Sequence, residues 1–243
     1  PGQRVQVILL DGRWFRSPWK PTDQRNAPGK ERYMPDANPA LTMLGEAQWS
    51  WLEAQLRQPA DVRLIASGIQ VLAEGHGFER WGLFPHERQR LFDLIARTRA
   101  AGVVLLSGDR HIGAAHRTAN GVPYPLTDLT SAGVTHTGTT ANEPGTNRLG
   151  PLVTQLHFAL IDIDWADRSL QLGLIETRGD GAPVDDGCGV AGGVGAGVLA
   201  GQCGGGPGGA ASRHDQEGQD AGQCDGRFHV LLCRGRKDRP GYY

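Results

Sequence analysis

A carboxylate and an imidazole follow one apolar run of this 243-residue chain, two positions apart. The segment Val103 to His111 reads VVLLSGDRH, so a buried-type strand ends in a glycine turn that carries Asp109 and His111. In open α/β sheets, ligands bind beyond the carboxyl ends of strands. Carboxylate oxygen and imidazole nitrogen suit zinc, iron or manganese. The spacing therefore predicts a metal or phosphate site, although Gly-Asp after a strand is equally typical of an ordinary turn.

A second apolar run also ends in charged residues. Val5 to Leu10 reads VQVILL and is followed by Asp11, Gly12 and Arg13. A guanidinium can hold a phosphoryl or carboxylate group through two parallel hydrogen bonds. We therefore predict that Arg13 binds an anionic group beside the carboxylate of Asp11.

A third strand is predicted over Val62 to Ser67, and Gln70 lies just beyond its end. Its amide has two open roles, contact with a substrate phosphate or bracing of the loop. His76 lies in a Gly-His-Gly turn, and two interpretations are open: it is a ligand, or, as the lack of a partner pattern favours, it is exposed. His116 stands close to the turn residues Arg117 and Asn120, which favours a structural or exposed role.

The elements around these loops alternate between helix and strand patterns. A layered α/β domain is expected from such an order. Apolar spacing and proline positions predict two helices, and period-two alternation predicts a closing hairpin. The predicted elements are helices over Glu46 to Gln58 and His86 to Ala100, a strand over Tyr124 to Thr130, a hairpin over His157 to Asp164 and Ser169 to Glu176, and a long proline-rich loop over residues 11–41. That loop is interpreted either as a substrate-selecting lid or as a plain surface loop.

The composition is that of a globular protein. Hydrophobic residues make up 39% and charged residues 21% of the chain, and the formal net charge is −1. This balance indicates neither nucleic acid nor a membrane surface as a partner. No apolar run approaches the length of a bilayer span.

Several segments together resemble the alkaline phosphatase D (PhoD-like) metallophosphatases. They occur in the expected order over about residues 4–185. The segments are LLDGRWFR, MLGEAQWSWLEAQL, ERWGLFPHERQRLFDLI, VVLLSGDRHIGA, PYPLTDLTSAGVTHT, TNRLGP and FALIDIDWADRSLQLGLIE.

The resemblance implies a four-layer α/β/β/α metallophosphatase sandwich, of which this chain would supply the C-terminal half. It implies hydrolysis of small phosphomonoesters or phosphodiesters with two or more metal ions, with Ca, Fe, Zn and Mn left open. Asp109 and His111 would belong to the metal site, beside a threonine-rich loop over Thr130 to Thr140. Arg13 would be a catalytic residue that also binds substrate, and Asp11 a catalytic group that contacts a metal or orients a metal ligand. Family members are commonly exported in bacteria, which suggests a periplasmic or extracellular location.

The family's first metal-binding aspartates and its Trp-Asp-Asp-His type motif have no counterpart before Asp11. We therefore expect a fragment with an incomplete site and negligible activity by itself. Two other classes stay open. One is a folded binding module without catalysis, and the other is a metal-free glycosidase that uses Asp11 and Asp109 as paired acids.

The last part of the chain differs in composition from the rest. Residues 1–186 are predicted to be the partial metallophosphatase domain, and residues 187–243 a Gly- and Cys-rich tail. The tail holds all four cysteines and 17 of the 36 glycines. Such a composition favours disorder. Three interpretations remain: a metal or disulfide framework, a flexible tail, or the product of a reading-frame shift.

Overall fold

A computed structural model of the chain describes residues 3–143, 145–177, 189–192 and 227–232. Two α-helices and twelve strands are assigned within these ranges. In chain order they are β1 (Val5–Leu10), β2 (Lys20–Pro21), β3 (Tyr33–Met34), α1 (Glu46–Leu56), β4 (Val62–Ser67), α2 (Pro85–Thr98), β5 (Val103–Ser107), β6 (Gly113–Thr118), β7 (Leu126–Ser131), β8 (Arg148–Val153), β9 (His157–Asp164), β10 (Ser169–Glu176), β11 (Gly189–Gly192) and β12 (Arg227–Leu232). A 3₁₀ turn, Trp81–Leu83, precedes α2.

The first sheet has six strands in the order β1-β4-β5-β7-β6-β8. The first four are parallel, and β6 is antiparallel to both β7 and β8. The carboxyl ends of β1, β4, β5 and β7 therefore meet at one edge of the sheet. This edge carries the loops that hold Asp11, Gln70 and Asp109.

Both faces of this sheet are covered. Ile65 and Leu105 belong to a core shared with the helices, whereas Leu64 and Leu106 belong to a core shared with the second sheet. Strands buried on both faces carry continuous apolar runs, as β4 and β5 do. Helix α1 buries Trp49, Leu52 and Leu56, and α2 buries Leu91, Leu94 and Ile95.

The second sheet has the order β11-β10-β9-β12 and is antiparallel throughout. In the hairpin of β9 and β10, alternate residues such as Ile161 and Leu172 are buried against the first sheet. The described residues thus form a helical layer and two sheet layers. This arrangement confirms the predicted α/β fold class.

Most predicted elements occur at or close to their expected bounds. Strands β1 and β4 and the hairpin are confirmed residue for residue, and α1 ends at Leu56 rather than Gln58. Helix α2 runs Pro85–Thr98, and β7 runs Leu126–Ser131. The loop over residues 11–41 contains the two-residue ladder of β2 and β3.

The disorder expected beyond residue 186 is wrong for two segments. β11 pairs with β10 and β12 pairs with β9, so both extend the second sheet. The remainder of the predicted tail, including all four cysteines, lies outside the described residues. Among the residues that are described, no helix is long and apolar enough to cross a membrane.

Candidate functional site

Arg13 links two strand ends at the carboxyl edge of the first sheet. Its Nη2 donates to Asp109 Oδ1 at 2.5 Å, and its Nη1 donates to Glu79 Oε2 at 2.7 Å. The Arg13 side chain is 49% exposed, so solvent reaches the guanidinium. The structure thus brings together two residues that the sequence places 96 positions apart. Glu79 was not predicted.

Asp11 shapes the turn that presents Arg13. Its Oδ1 accepts hydrogen bonds from the backbone N–H groups of Arg13 and Trp14, both at 2.9 Å. The Trp14 N–H, followed by that of Arg13, lowers the pKa of Asp11 because each bond stabilises the carboxylate. Gln48 of α1 holds the Asp11 backbone from the other side, accepting from its N–H at 2.8 Å and donating to its carbonyl at 2.9 Å. In the structure, Asp11 is therefore an ionised group that fixes a loop.

The loop after β5 has an unusual backbone. Asp109 has φ 78° and His111 has φ 53°, so both lie in the left-handed region that most side chains avoid. Such conformations cost of the order of 1–3 kcal/mol each and cluster at functional sites. The two residues predicted as metal ligands are thus held in a strained turn at a strand end.

The threonine-rich loop packs against His111. The His111 carbonyl accepts from the Gly138 backbone N–H at 2.8 Å, and the His111 and His136 ring centroids are 4.0 Å apart. A second imidazole therefore lies beside the predicted ligand. The position of this loop near the site was expected from the family resemblance, whereas no role was expected for His136.

Gln70 is buried and joins three strand ends. Its Nε2 donates to Thr130 Oγ1 at 3.0 Å, and Thr130 Oγ1 lies 2.9 Å from Ser107 Oγ. Its Oε1 lies 2.9 Å from His76 Nε2. These contacts are those of a brace. The predicted role of Gln70 in substrate binding stays a prediction.

His76 is not an exposed loop residue, so that prediction is wrong. Only 1% of the residue is exposed, because the segment after β4 folds back over the sheet. Its Nδ1 accepts from the Phe78 backbone N–H at 3.2 Å, so Nε2 carries the proton that it donates to Gln70. Burial lowers the pKa of His76 to about 3, with further lowering from Arg80, Arg110 and His116.

His116 is buried, which agrees with the structural alternative of its prediction, but its predicted position at a turn is wrong. It lies in strand β6 and stands opposite Asp128 of β7. Asp128 Oδ2 accepts from the backbone N–H groups of Val71 and Leu72 at 2.8 and 2.9 Å. This buried carboxylate anchors the segment that carries Gln70 and His76.

A model of the family "PhoD-like phosphatase" matches residues 1–158 of the chain. The chain belongs to the PhoD-like phosphatase family. No curated protein matches it. Among solved structures it is similar to "Structure of PhoD", with a TM-score of 0.56 and 16% identity over 82% of this chain and 42% of that chain. At this identity the likeness supports the shared fold, and this PhoD-like chain spans less than half the length of that structure.

The donors in this PhoD-like chain fit a metal ion only in part. Asp109 and His111 offer a carboxylate and an imidazole at one strand end. Within the described ranges, however, no group of three or more His, Cys, Asp or Glu side chains converges as a metal site would need. Structural and catalytic metal sites in proteins use three or four such ligands. The described residues therefore hold part of a ligand set.

The site geometry argues against a glycosidase. That reaction needs one carboxyl group with a raised pKa to protonate the leaving group. The pKa of Asp11 is lowered instead, and Asp109 is paired with Arg13. Neither side chain of this PhoD-like chain is arranged as a proton donor.

Because His76 is buried in its neutral form, we expect the free energy of unfolding to fall at acidic pH. The unfolded side chain takes up a proton near pH 6.5, whereas the folded one does so only at about pH 3. The unfolded state therefore binds more protons between these values, and stability falls as the pH falls through this window. We expect His76 to account for a loss of about 2 kcal/mol between pH 6.5 and 4.5.

Urea denaturation at both pH values checks this expectation. The control is His76→Gln, which does not titrate in this range. The variant should lose about 2 kcal/mol less than the wild type over the same interval. Equal losses in both proteins would contradict the assignment.

Proposed function

We propose that this chain takes part in metal-dependent hydrolysis of small phosphoesters. One observation carries the proposal, which is the guanidinium of Arg13 held beside Asp109 at the carboxyl edge of the sheet in a member of this family. A planar guanidinium recognises phosphoryl oxygens through directional hydrogen bonds. Whether the ester is a monoester or a diester depends on pocket walls beyond this contact.

Arg13 is proposed to bind substrate by exchanging one partner. Its Nη1 stays on Glu79, while Nη2 leaves Asp109 for a phosphoryl oxygen. Glu79 is suited to hold the guanidinium during this exchange because its Oε1 also accepts from Trp19 Nε1 at 3.0 Å. Trp19 lies in the 11–41 loop, so this loop is coupled to the position of Arg13.

Asp109 and His111 are proposed to contribute to a centre of two or more metal ions. Such ions, when bound, neutralise charge on the phosphoryl oxygens and lower the pKa of a bound water. Asp11, Gln48 and Gln70 would act by holding the loops in place. The described contacts leave Ca, Fe, Zn and Mn all open as the metal.

Binding experiments on the 243-residue chain test this assignment. Mn²⁺ should broaden the amide NMR signals around residues 108–112, and Asp109→Ala should reduce its affinity about tenfold or more. Inorganic phosphate should shift the same region, and Arg13→Ala should weaken that binding about tenfold. The controls are Asp93→Ala and Arg168→Ala, which remove exposed charges elsewhere. Signal changes that spare residues 108–112 would overturn the assignment.

Non-catalytic binding is the second candidate. The partial donor set favours it for the chain by itself, because two donors do not complete a catalytic centre. We therefore expect negligible turnover of p-nitrophenyl phosphate and of bis-p-nitrophenyl phosphate with any of the four metals added. Turnover that His111→Ala abolishes would contradict the incomplete site and would support the reaction class.

A further inference from the structure

A cluster of arginines lines a cavity at the amino end of the parallel strands. The cavity measures about 330 Å³, and Arg4, Arg57, Arg63 and Arg99 lie in its wall with Asp61. Arg4 and Asp61 lie just before β1 and β4, and Arg57 and Arg99 lie just after α1 and α2. Arg63 is the second residue of β4. A six-residue strand is about 20 Å long, so β1 separates this cavity from Arg13 at the other edge.

Arg63 forms the inner wall and is fixed in place. Only 5% of the residue is exposed. Its Nη1 donates to the carbonyls of Ala60 and Ala101 at 2.9 and 2.8 Å, and its Nη2 donates to the carbonyl of Gln58 at 2.7 Å. Its charge is therefore held by backbone carbonyls rather than by a carboxylate.

The other guanidiniums are only partly balanced. Arg57 pairs with Glu53 at 2.7 Å, whereas the side chains of Arg4 and Arg99 form no ion pair within the described part of the chain. Asp61 Oδ2 is occupied by the Arg4 backbone N–H at 2.9 Å.

The cavity wall therefore carries a positive charge. Its lining holds four arginines and one carboxylate, and Glu53 outside the lining pairs with Arg57, which leaves two positive charges. The carboxyl ends of α1 and α2 together offset about one of these charges.

We propose that this cavity binds a small phosphoryl anion with several charges, of the pyrophosphate class. Arg4 and Arg99 would contact the anion, since both are exposed and without a carboxylate partner in the described residues. Arginine is the side chain best suited to hold phosphoryl oxygens in pairs. Arg63 adds a fixed charge behind them. The proposal does not depend on the hydrolytic function, because the two sites lie at opposite edges of the sheet.

Calorimetry with pyrophosphate tests the site on the metal-free 243-residue chain at 150 mM salt. The double variant Arg4→Gln/Arg99→Gln should bind at least tenfold more weakly than the wild type. Arg99→Lys should fall between them, because it keeps the charge but loses the fork of donors. Arg168→Ala is the control, and it should retain the affinity of this site.

Amide NMR titration locates the anion independently of the variants. Pyrophosphate should shift signals of residues 57–63 and 98–102 in the wild-type chain. Inorganic phosphate, with fewer charges, should need at least tenfold higher concentration for the same shifts. Absence of saturable shifts in these segments, or equal affinity in the double variant, would overturn the proposal.

Discussion

Replacement of Glu87 by alanine should lower the free energy of unfolding by about 3–5 kcal/mol. Glu87 lies in the first turn of α2 and is only 2% exposed. Its Oε2 accepts from the Met43 backbone N–H at 2.6 Å, the Thr42 hydroxyl at 2.9 Å and the Trp49 indole N–H at 2.9 Å. The variant would leave these three donors without their acceptor, and two of them, the Met43 N–H and the Trp49 indole N–H, are buried.

Glu46→Ala is the matched control. Arg90 donates to both carboxylate oxygens of Glu46, at 2.6 and 2.7 Å. Arg90 also contacts Glu87, so Glu46 belongs to the same group of charges. The Glu46 side chain is 77% exposed, however, so its removal should change stability by less than about 1 kcal/mol. Urea denaturation of both variants measures the difference. Similar losses for the two would show that the buried bonds contribute little.

The loss at Glu87 should reach the candidate site. Trp49 and the segment at Met43 fix the start of α1, and α1 carries Gln48, which clamps the Asp11 backbone. Loosening of α1 therefore loosens the turn that presents Arg13. In the Glu87→Ala variant we expect faster hydrogen exchange at the Asp11 amide than in Glu46→Ala.

The sequence predicted the strand ends of the site because their signals are local. The apolar runs of β1, β4 and β5 end in turn residues, and parallel pairing alone gathers such ends at one edge. Asp11, Arg13, Gln70 and Asp109 were located in this way. The direct contact of Arg13 with Asp109 follows from loop geometry that no local pattern encodes.

The residues that were missed or wrongly placed depend on distant contacts. Glu79 reaches Arg13 across 66 positions of sequence. His76 looked exposed because a Gly-His-Gly turn is usually open, yet its segment is tied down by Asp128 of β7. His116 was placed at a turn because its polar neighbours are typical of turns. It lies instead in strand β6, which pairs with β7 on one side and with β8 on the other.

β12 illustrates a different kind of error. Its sequence RFHVLL is a short apolar run of strand type, but it lies within a segment rich in glycine and cysteine. Disorder was therefore expected from the average composition of residues 187–243, although the local run RFHVLL is typical of a strand. Pairing with β9 supplies the backbone partners that composition does not reveal.

Replacement of Gly102 by alanine should lower the free energy of unfolding by about 3 kcal/mol or more. Gly102 has φ 66°, and a Cβ there would lie 2.1 Å from the Asp61 carbonyl oxygen. The clash is with backbone, so a change of side-chain rotamer does not relieve it. The Gly102 carbonyl also accepts from the Arg63 backbone N–H at 2.8 Å, which ties the approach to β5 to the start of β4.

Gly150→Ala separates the two causes of this loss. Gly150 has nearly the same φ, 69°, but nothing lies within 4 Å of the added Cβ. Gly150→Ala should therefore lower the free energy of unfolding only by the cost of placing alanine in the left-handed region, about 1–2 kcal/mol. The excess loss in Gly102→Ala then measures the close approach of Gly102 to Asp61, which shapes the amino edge of the sheet and the arginine-lined cavity beside it. Equal decreases in the free energy of unfolding for the two variants would mean that the backbone at this edge shifts to accommodate the added methyl group. The cavity would then not be rigidly held.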